Sequence, residues 1–366
     1  MAILVTLLIA EVLLRSTHAF GARLSWSDPD PIIAFRYVAN RPYWHFAEND
    51  HATAGTINAA GWRDRERSLE KPEGTYRVAF LGDSFVVAYQ VEADSTFLAL
   101  TEDTLTARLG HAVEMLNFGR SGTTQTEELL ILQSDVMRFA PDLVAVLFNP
   151  MNDIGDVSRE TTGSLRPFYE LTPDGELRLD TSFNTSASYR VRAAINGLKK
   201  RSILISLVAE RWNLFVRARR LGAQANVGEG LPRHLTLCTS HPDSTYARNY
   251  RLNKILIRNM AEYCNRRDAS FLLVCGDSVY ETEEILRYSA IDATFDPRFF
   301  EADLAEYADS IGVEYLGLQT PFAEHARAEG PPLHWGHYSY AGHRVVAKAL
   351  SEKLLDIILE DAPATD

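Results

Sequence analysis

Gly82-Asp83-Ser84 interrupts an apolar run in "VAFLGDSFVVAYQV". Val78 to Leu81 reads as a strand buried on both faces, and the residues after Ser84 read as a helix. A strand that turns into a helix through these three residues puts a hydroxyl at a helix N-terminus. Unbonded backbone N–H groups there favour a developing negative charge. A nucleophile fits that seat, and so does a serine that only caps a helix. Three further stretches carry polar groups of complementary kinds: "NFGRSGTT" (117–124), "FNPMND" (148–153) and "HWGHYSYAGH" (334–343). A serine attacks an ester only if a base such as histidine removes its proton, and the resulting oxyanion needs fixed donors. A glycine lets the backbone approach a substrate closely. Each stretch alone reads equally well as a turn, a cap or a structural histidine.

Other chemistries find less support. His334, His337 and His343 stand in an H-x2-H-x5-H arrangement, but no acidic or cysteine partners sit at metal-ligand offsets, so no metal is expected. "GRSG" is followed by Thr123, which breaks the G-x-S-x-G pattern. Neither G-x-G-x-x-G nor a P-loop occurs.

The elements that must position these groups alternate. Candidate strands are Arg77–Leu81, Val113–Asn117, Leu143–Leu147, Phe271–Cys275 and Val313–Leu316. Helical patterns at Ser95–Leu109, Thr126–Phe139, Asn249–Arg267 and Phe299–Ile311 lie among them. Short apolar strands alternating with helices imply a parallel sheet covered on both faces, with ligands beyond the carboxyl ends of its strands. All four polar stretches fall at or just after strand ends.

Residues 1–22 hold an apolar stretch, Ala2–Leu14, broken only by Thr6 and Glu11. It is shorter than the roughly 20 residues of a membrane span and lacks a basic leader, while "THAFGA" offers small residues for cleavage. We read it as an export signal or short membrane anchor, either of which puts the globular part outside the cytoplasm. A soluble N-terminal helix is the other reading. Residues 23–76 read as an irregular, aromatic lead-in, and residues 77–360 as one domain with an excursion at 155–245 between strands three and four. "LTPDGELRLD" within the excursion reads as a hairpin. Residues 190–220 carry nine basic residues against Glu210 alone, or +8, which leaves −20 for the rest of a chain whose net charge is −12. This segment is read as a solvated helical pair, a lid, or a surface that rests on anionic lipid. The acidic balance excludes general nucleic-acid binding. Cys238, Cys264 and Cys275 form no metal spacing and allow at most one disulfide.

Taken together and in this order, the four stretches resemble the blocks of the SGNH (GDSL-type) hydrolases, and "NAAGWRDRE" before them resembles extracytoplasmic, anchored members of that superfamily. The resemblance runs from the first strand to the last helix. It implies a flavodoxin-like three-layer α/β/α sandwich with about five parallel central strands, as the alternating pattern does independently. It implies Ser84 as nucleophile and His337 as base. The Ser84 N–H, the Gly122 N–H and the Asn152 amide become oxyanion donors, and no cofactor is implied. GDS alone is not specific, because it recurs as Gly276-Asp277-Ser278. Two departures stand out. Pro150 occupies a position that is usually glycine, and His334 and Trp335 occupy the positions where the family carries its triad aspartate. The His334 main-chain carbonyl is the expected orienter of His337, with a carboxylate such as Glu324 or Glu329 as the alternative. The expected activity is ester hydrolysis, on O-acyl (acetyl) groups of carbohydrate. A lipase, a thioesterase or an O-acyltransferase would use the same site, and a carbohydrate-binding domain without catalysis is the remaining alternative. Expected partners are an acylated small molecule or polysaccharide and the anionic membrane surface.

Overall fold

The computed structural model describes residues 1–17, 19, 23–46, 52–172, 174–224, 230–328 and 330–361. The chain opens with α1 (Ala2–Thr17), followed by two antiparallel hairpins, β1 (Ser27–Asp30) with β2 (Ala34–Tyr37) and β3 (Pro42–Phe46) with β4 (Ala52–Thr56). The central sheet begins at β5 (Tyr76–Gly82), then continues through α2 (Ser84–Val87), α3 (Phe97–Leu109), β6 (Val113–Gly119), α4 (Gln125–Ser134) and β7 (Leu143–Phe148). Next come α5 (Asp153–Asp156), the hairpin of β8 (Phe168–Leu171) and β9 (Leu177–Asp180), α6 (Ala187–Lys199), α7 (Ile203–Gln224) and α8 (Ser244–Asn265). The last stretch is β10 (Ser270–Cys275), α9 (Thr282–Ile291), α10 (Phe299–Ser310), β11 (Glu314–Gly317), α11 (Gln319–Arg327) and α12 (Tyr340–Asp361).

The five central strands are parallel, in the order β11-β10-β7-β5-β6. The chain leaves β5 to one side for β6 and returns past it for β7, so the carboxyl ends of these three strands frame a switch point, where open sheets bind ligands. Alternate residues of each strand serve opposite faces. Ala79, Leu81, Val144, Val146 and Leu273 pack under α4, α8 and α10, while Val78, Phe80, Ala145, Leu147 and Val274 pack under α3 and α12. Burial on both sides explains why these strands read as unbroken apolar runs. The three cysteines are buried free thiols of the first of these two layers.

Two segments differ from their sequence pattern. The helix after Ser84 ends after one turn, with Ala88 in the left-handed region at φ 53°. Buried Arg63 explains this: its guanidinium donates to the carbonyls of Val87 (2.8 Å), Ala88 (2.9 Å) and Val91 (2.6 Å), acceptors that a longer helix would have used itself. The lead-in, irregular by pattern, holds β1 to β4. Its order comes from long-range packing, as Tyr37 and Tyr43 set their rings 5.9 and 4.9 Å from that of Tyr89.

His343, on α12, is fully buried against α3. Its Nδ1 accepts the Phe97 N–H at 3.1 Å, and its ring stacks on Phe97. Burial pushes its pKa down from 6.5 to about 3, helped by the charge of Arg63. The native imidazole is therefore neutral where the unfolded one is protonated, so its contribution is complete above pH 6.5 and is lost as pH falls towards 3. Between about pH 7 and pH 5, wild type is expected to lose about 2 kcal/mol more stability than His343→Asn, read by urea unfolding at both pH values. Equal losses would remove His343 from the acid response.

Candidate active site

Gly82, Asp83 and Ser84 each receive one of the other three polar stretches. The Gly82 carbonyl accepts the Arg120 N–H (3.0 Å) and the Thr123 hydroxyl (2.9 Å), which pins the loop after β6. Asp83 caps α2 by accepting the Phe85 N–H at 2.9 Å. Its other oxygen accepts Nδ2 of Asn152 (2.7 Å) and Nδ2 of Asn149 (3.4 Å), both beyond β7. Ser84 Oγ lies 2.7 Å from Nε2 of His337. Two glycines permit the close approach of α2. A Cβ at Gly82 would lie 2.4 Å from Cγ2 of Val86, and one at Gly119 would lie 2.4 Å from the Val87 nitrogen.

His337 stands on a tight loop before α12. The Leu333 carbonyl accepts the Ser339 N–H (2.7 Å), the Trp335 N–H reaches the His337 carbonyl (2.8 Å), and His334 and Tyr338 form an antiparallel bridge. The Phe85 ring, 4.9 Å from the imidazole and 4.7 Å from the Tyr338 ring, supports the loop from α2. The His334 side chain is also engaged. Its Nδ1 is 3.0 Å from the Tyr280 hydroxyl and its Nε2 is 3.4 Å from a carboxylate oxygen of Asp277. Asp277 of the second Gly-Asp-Ser thus lies beside the histidine loop, just beyond β10. Glu329 lies outside the described residues, as do His18 and residues 20–22 of the "THAFGA" stretch.

Among no helices of the described residues is there one long and apolar enough to cross a membrane. On the donor side of the site, Gly122 has φ +70°, a left-handed backbone that favours glycine. Its carbonyl accepts the Arg166 guanidinium at 2.7 Å, and Arg166 is held in turn by Glu127 at 2.8 Å. Next to it, the Ser121 N–H donates to the Tyr37 hydroxyl at 3.1 Å. Arg166 and Tyr37 carry no motif and lie far away in sequence, so their part in fixing this loop is visible only in three dimensions. Asn152 gives one N–H to Asp83, and a carboxylate acceptor fixes which end of the amide faces it.

Burial pushes the Asp83 carboxyl up, although Asn152, the Phe85 N–H and His337 all favour its charged form. Behind it, burial and then the Asp83 charge push Asp153 well up, and Asp153 accepts the Asn149 N–H (2.7 Å) and the Gln125 amide (2.9 Å). The Ser84 turn therefore rests on a buried, hydrogen-bonded acidic network.

No known family profile matches the chain, and no curated protein matches it in sequence. Solved structures that align with it include LAE5, an α/β hydrolase from the metagenome of Lake Arreo, Spain, at 15% identity and a TM-score of 0.41, covering 76% of this chain and 94% of that one. A variant of an acetyl xylan esterase from Geobacillus stearothermophilus aligns at 14% identity and a TM-score of 0.41, with coverage of 76% and 94%. A GDSL-like lipase from Bacteroides thetaiotaomicron aligns at 14% identity and a TM-score of 0.36, with coverage of 77% and 88%. At this level of likeness none of them assigns a reaction to this chain.

Proposed function

We propose that this chain is an SGNH-type ester hydrolase acting through an acyl-enzyme on Ser84. The observation that carries the reading is the 2.7 Å contact between Ser84 Oγ and His337 Nε2 at the switch point of the sheet. In the proposed reaction His337 takes the Ser84 proton as Oγ attacks the ester carbonyl. The oxyanion that forms is held by the Ser84 and Gly122 N–H groups and by the second N–H of the Asn152 amide. When the intermediate collapses, the proton on His337 passes to the leaving alkoxide. Water then repeats the sequence on the acyl-enzyme and releases the acid. The His334 carbonyl is the proposed orienter of the imidazole, supported by the bridge that holds His334 against Tyr338.

O-acyl groups on carbohydrate are the proposed substrates, supported by the likeness of the lead-in to that of extracytoplasmic SGNH proteins. A fluorophosphonate should label Ser84 covalently, located by peptide mass spectrometry, and acetyl esters of oligosaccharides should turn over faster than long-chain esters. Absence of label together with absence of turnover rejects the enzyme; faster turnover of long chains moves the substrate class to lipids.

A further inference from the structure

The two polar side chains in the apolar stretch of α1 are both satisfied within the protein. The Thr6 hydroxyl donates to the Ala2 carbonyl at 3.0 Å. Glu11 accepts the Ile203 N–H (2.9 Å), the Leu204 N–H (3.1 Å) and the Ser202 hydroxyl (2.8 Å), so it caps α7, and it also pairs with Arg15 at 2.8 Å. Although burial opposes its charge, these donors pull Glu11 down to about 2. What α1 presents outward is therefore apolar: Ile3, Leu4, Leu8, Ile9, Val12 and Leu13 are all exposed.

The same region continues onto α6 and α7. Val191, Ile195 and Leu198 are exposed at helical spacing on α6, as are Ile205, Val208, Trp212 and Phe215 on α7, with Val208 62% and Trp212 65% accessible. A groove of about 1100 Å³ runs between them, and Leu7 of α1 lines it too. Arg190, Arg192 and Arg211 on these helices and Arg201 in the turn between them are exposed, in the segment of +8 charge of an otherwise acidic chain.

These features select one occupant. A protein groove receives one stripe of a helix, whereas the Ala2–Leu14 stretch of α1 exposes aliphatic side chains on several sides and engages its only carboxylate, which suits a hydrocarbon environment with Arg15 at its edge. Its 16 described residues extend about 24 Å. Basic residues beside exposed aromatic and aliphatic groups match the boundary between acyl chains and anionic headgroups. We propose that α1 and the α6–α7 pair form a docking face for an anionic lipid bilayer, with α1 embedded and the arginines at the headgroups.

Sedimentation of the full chain with phosphatidylglycerol-rich and with pure phosphatidylcholine vesicles tests this. Binding should be strong on the anionic vesicles, weaken steeply as salt rises, and fall about 10²-fold when Arg190, Arg192 and Arg201 are together replaced by Gln. Trp212 emission should shift to the blue on binding, a shift that Trp212→Phe removes. Equal binding to both vesicle types, or none to either, overturns the proposal. So does concentration-dependent self-association abolished by Val208→Asp, which would assign the face to a second copy of this chain.

Discussion

Ser84→Ala is expected to lower ester turnover at least about 10³-fold while leaving the fold intact. The magnitude follows from the loss of the covalent route, since water must then attack the ester directly. The oxyanion donors survive in the variant and account for whatever rate remains. The expectation of an intact fold is local in origin. Although Ser84 heads α2, the side chain that caps the helix belongs to Asp83, and the lost contact, to His337, lies in a half-buried region. The measurement is kcat on a short-chain ester beside a thermal melt. A variant that keeps more than about a tenth of its activity with an unchanged melt excludes Ser84 as the nucleophile.

Asn152→Ala is the second large effect, expected to reduce kcat by about 10²–10³ with KM nearly unchanged. A donor that meets charge only as the oxyanion forms stabilises the transition state more than the ground state, which is why kcat takes the loss. The variant also removes the 2.7 Å donor to Asp83 and leaves Asn149, at 3.4 Å, as the side-chain donor to that oxygen. Stability should therefore fall by about 1–3 kcal/mol, a cost Ser84→Ala does not incur. If KM rises while kcat holds, Asn152 only binds substrate and its oxyanion role fails.

Much of the fold was legible in the sequence. The expected strands Arg77–Leu81 and Leu143–Leu147 became Tyr76–Gly82 and Leu143–Phe148, because doubly buried parallel strands must be apolar throughout. "LTPDGELRLD" formed its hairpin, β8 with β9. Three of the four polar stretches met because they lie at strand ends on one edge of a parallel sheet, and the fourth reaches that edge on the loop between α11 and α12. What escaped were residues whose significance depends on distant partners. Asp83 looked like part of a motif for the serine, yet it joins the Ser84 turn to Asn152. Arg166 holds Gly122 from 44 positions away. Asp277 looked like a chance repeat of the motif and instead faces His334. The one-turn length of α2 could not be read from "FVVAYQV", because Arg63 decides it from outside the segment.

The lead-in also has a place in time. Trp62 sets its ring 5.0 Å from that of Phe118, Asp64 accepts the Asn117 N–H at 3.1 Å, and Tyr37 accepts the Ser121 N–H. Every one of these partners comes later in the chain. During synthesis the two hairpins of this segment can pair on their own, but its contacts to Asn117, Phe118 and Ser121 must wait until those residues have been made. The segment is thus made before the part of the sheet on which it docks. The loop that carries Gly122 gains its Tyr37 contact only with that docking, so the early segment and the later loop settle together.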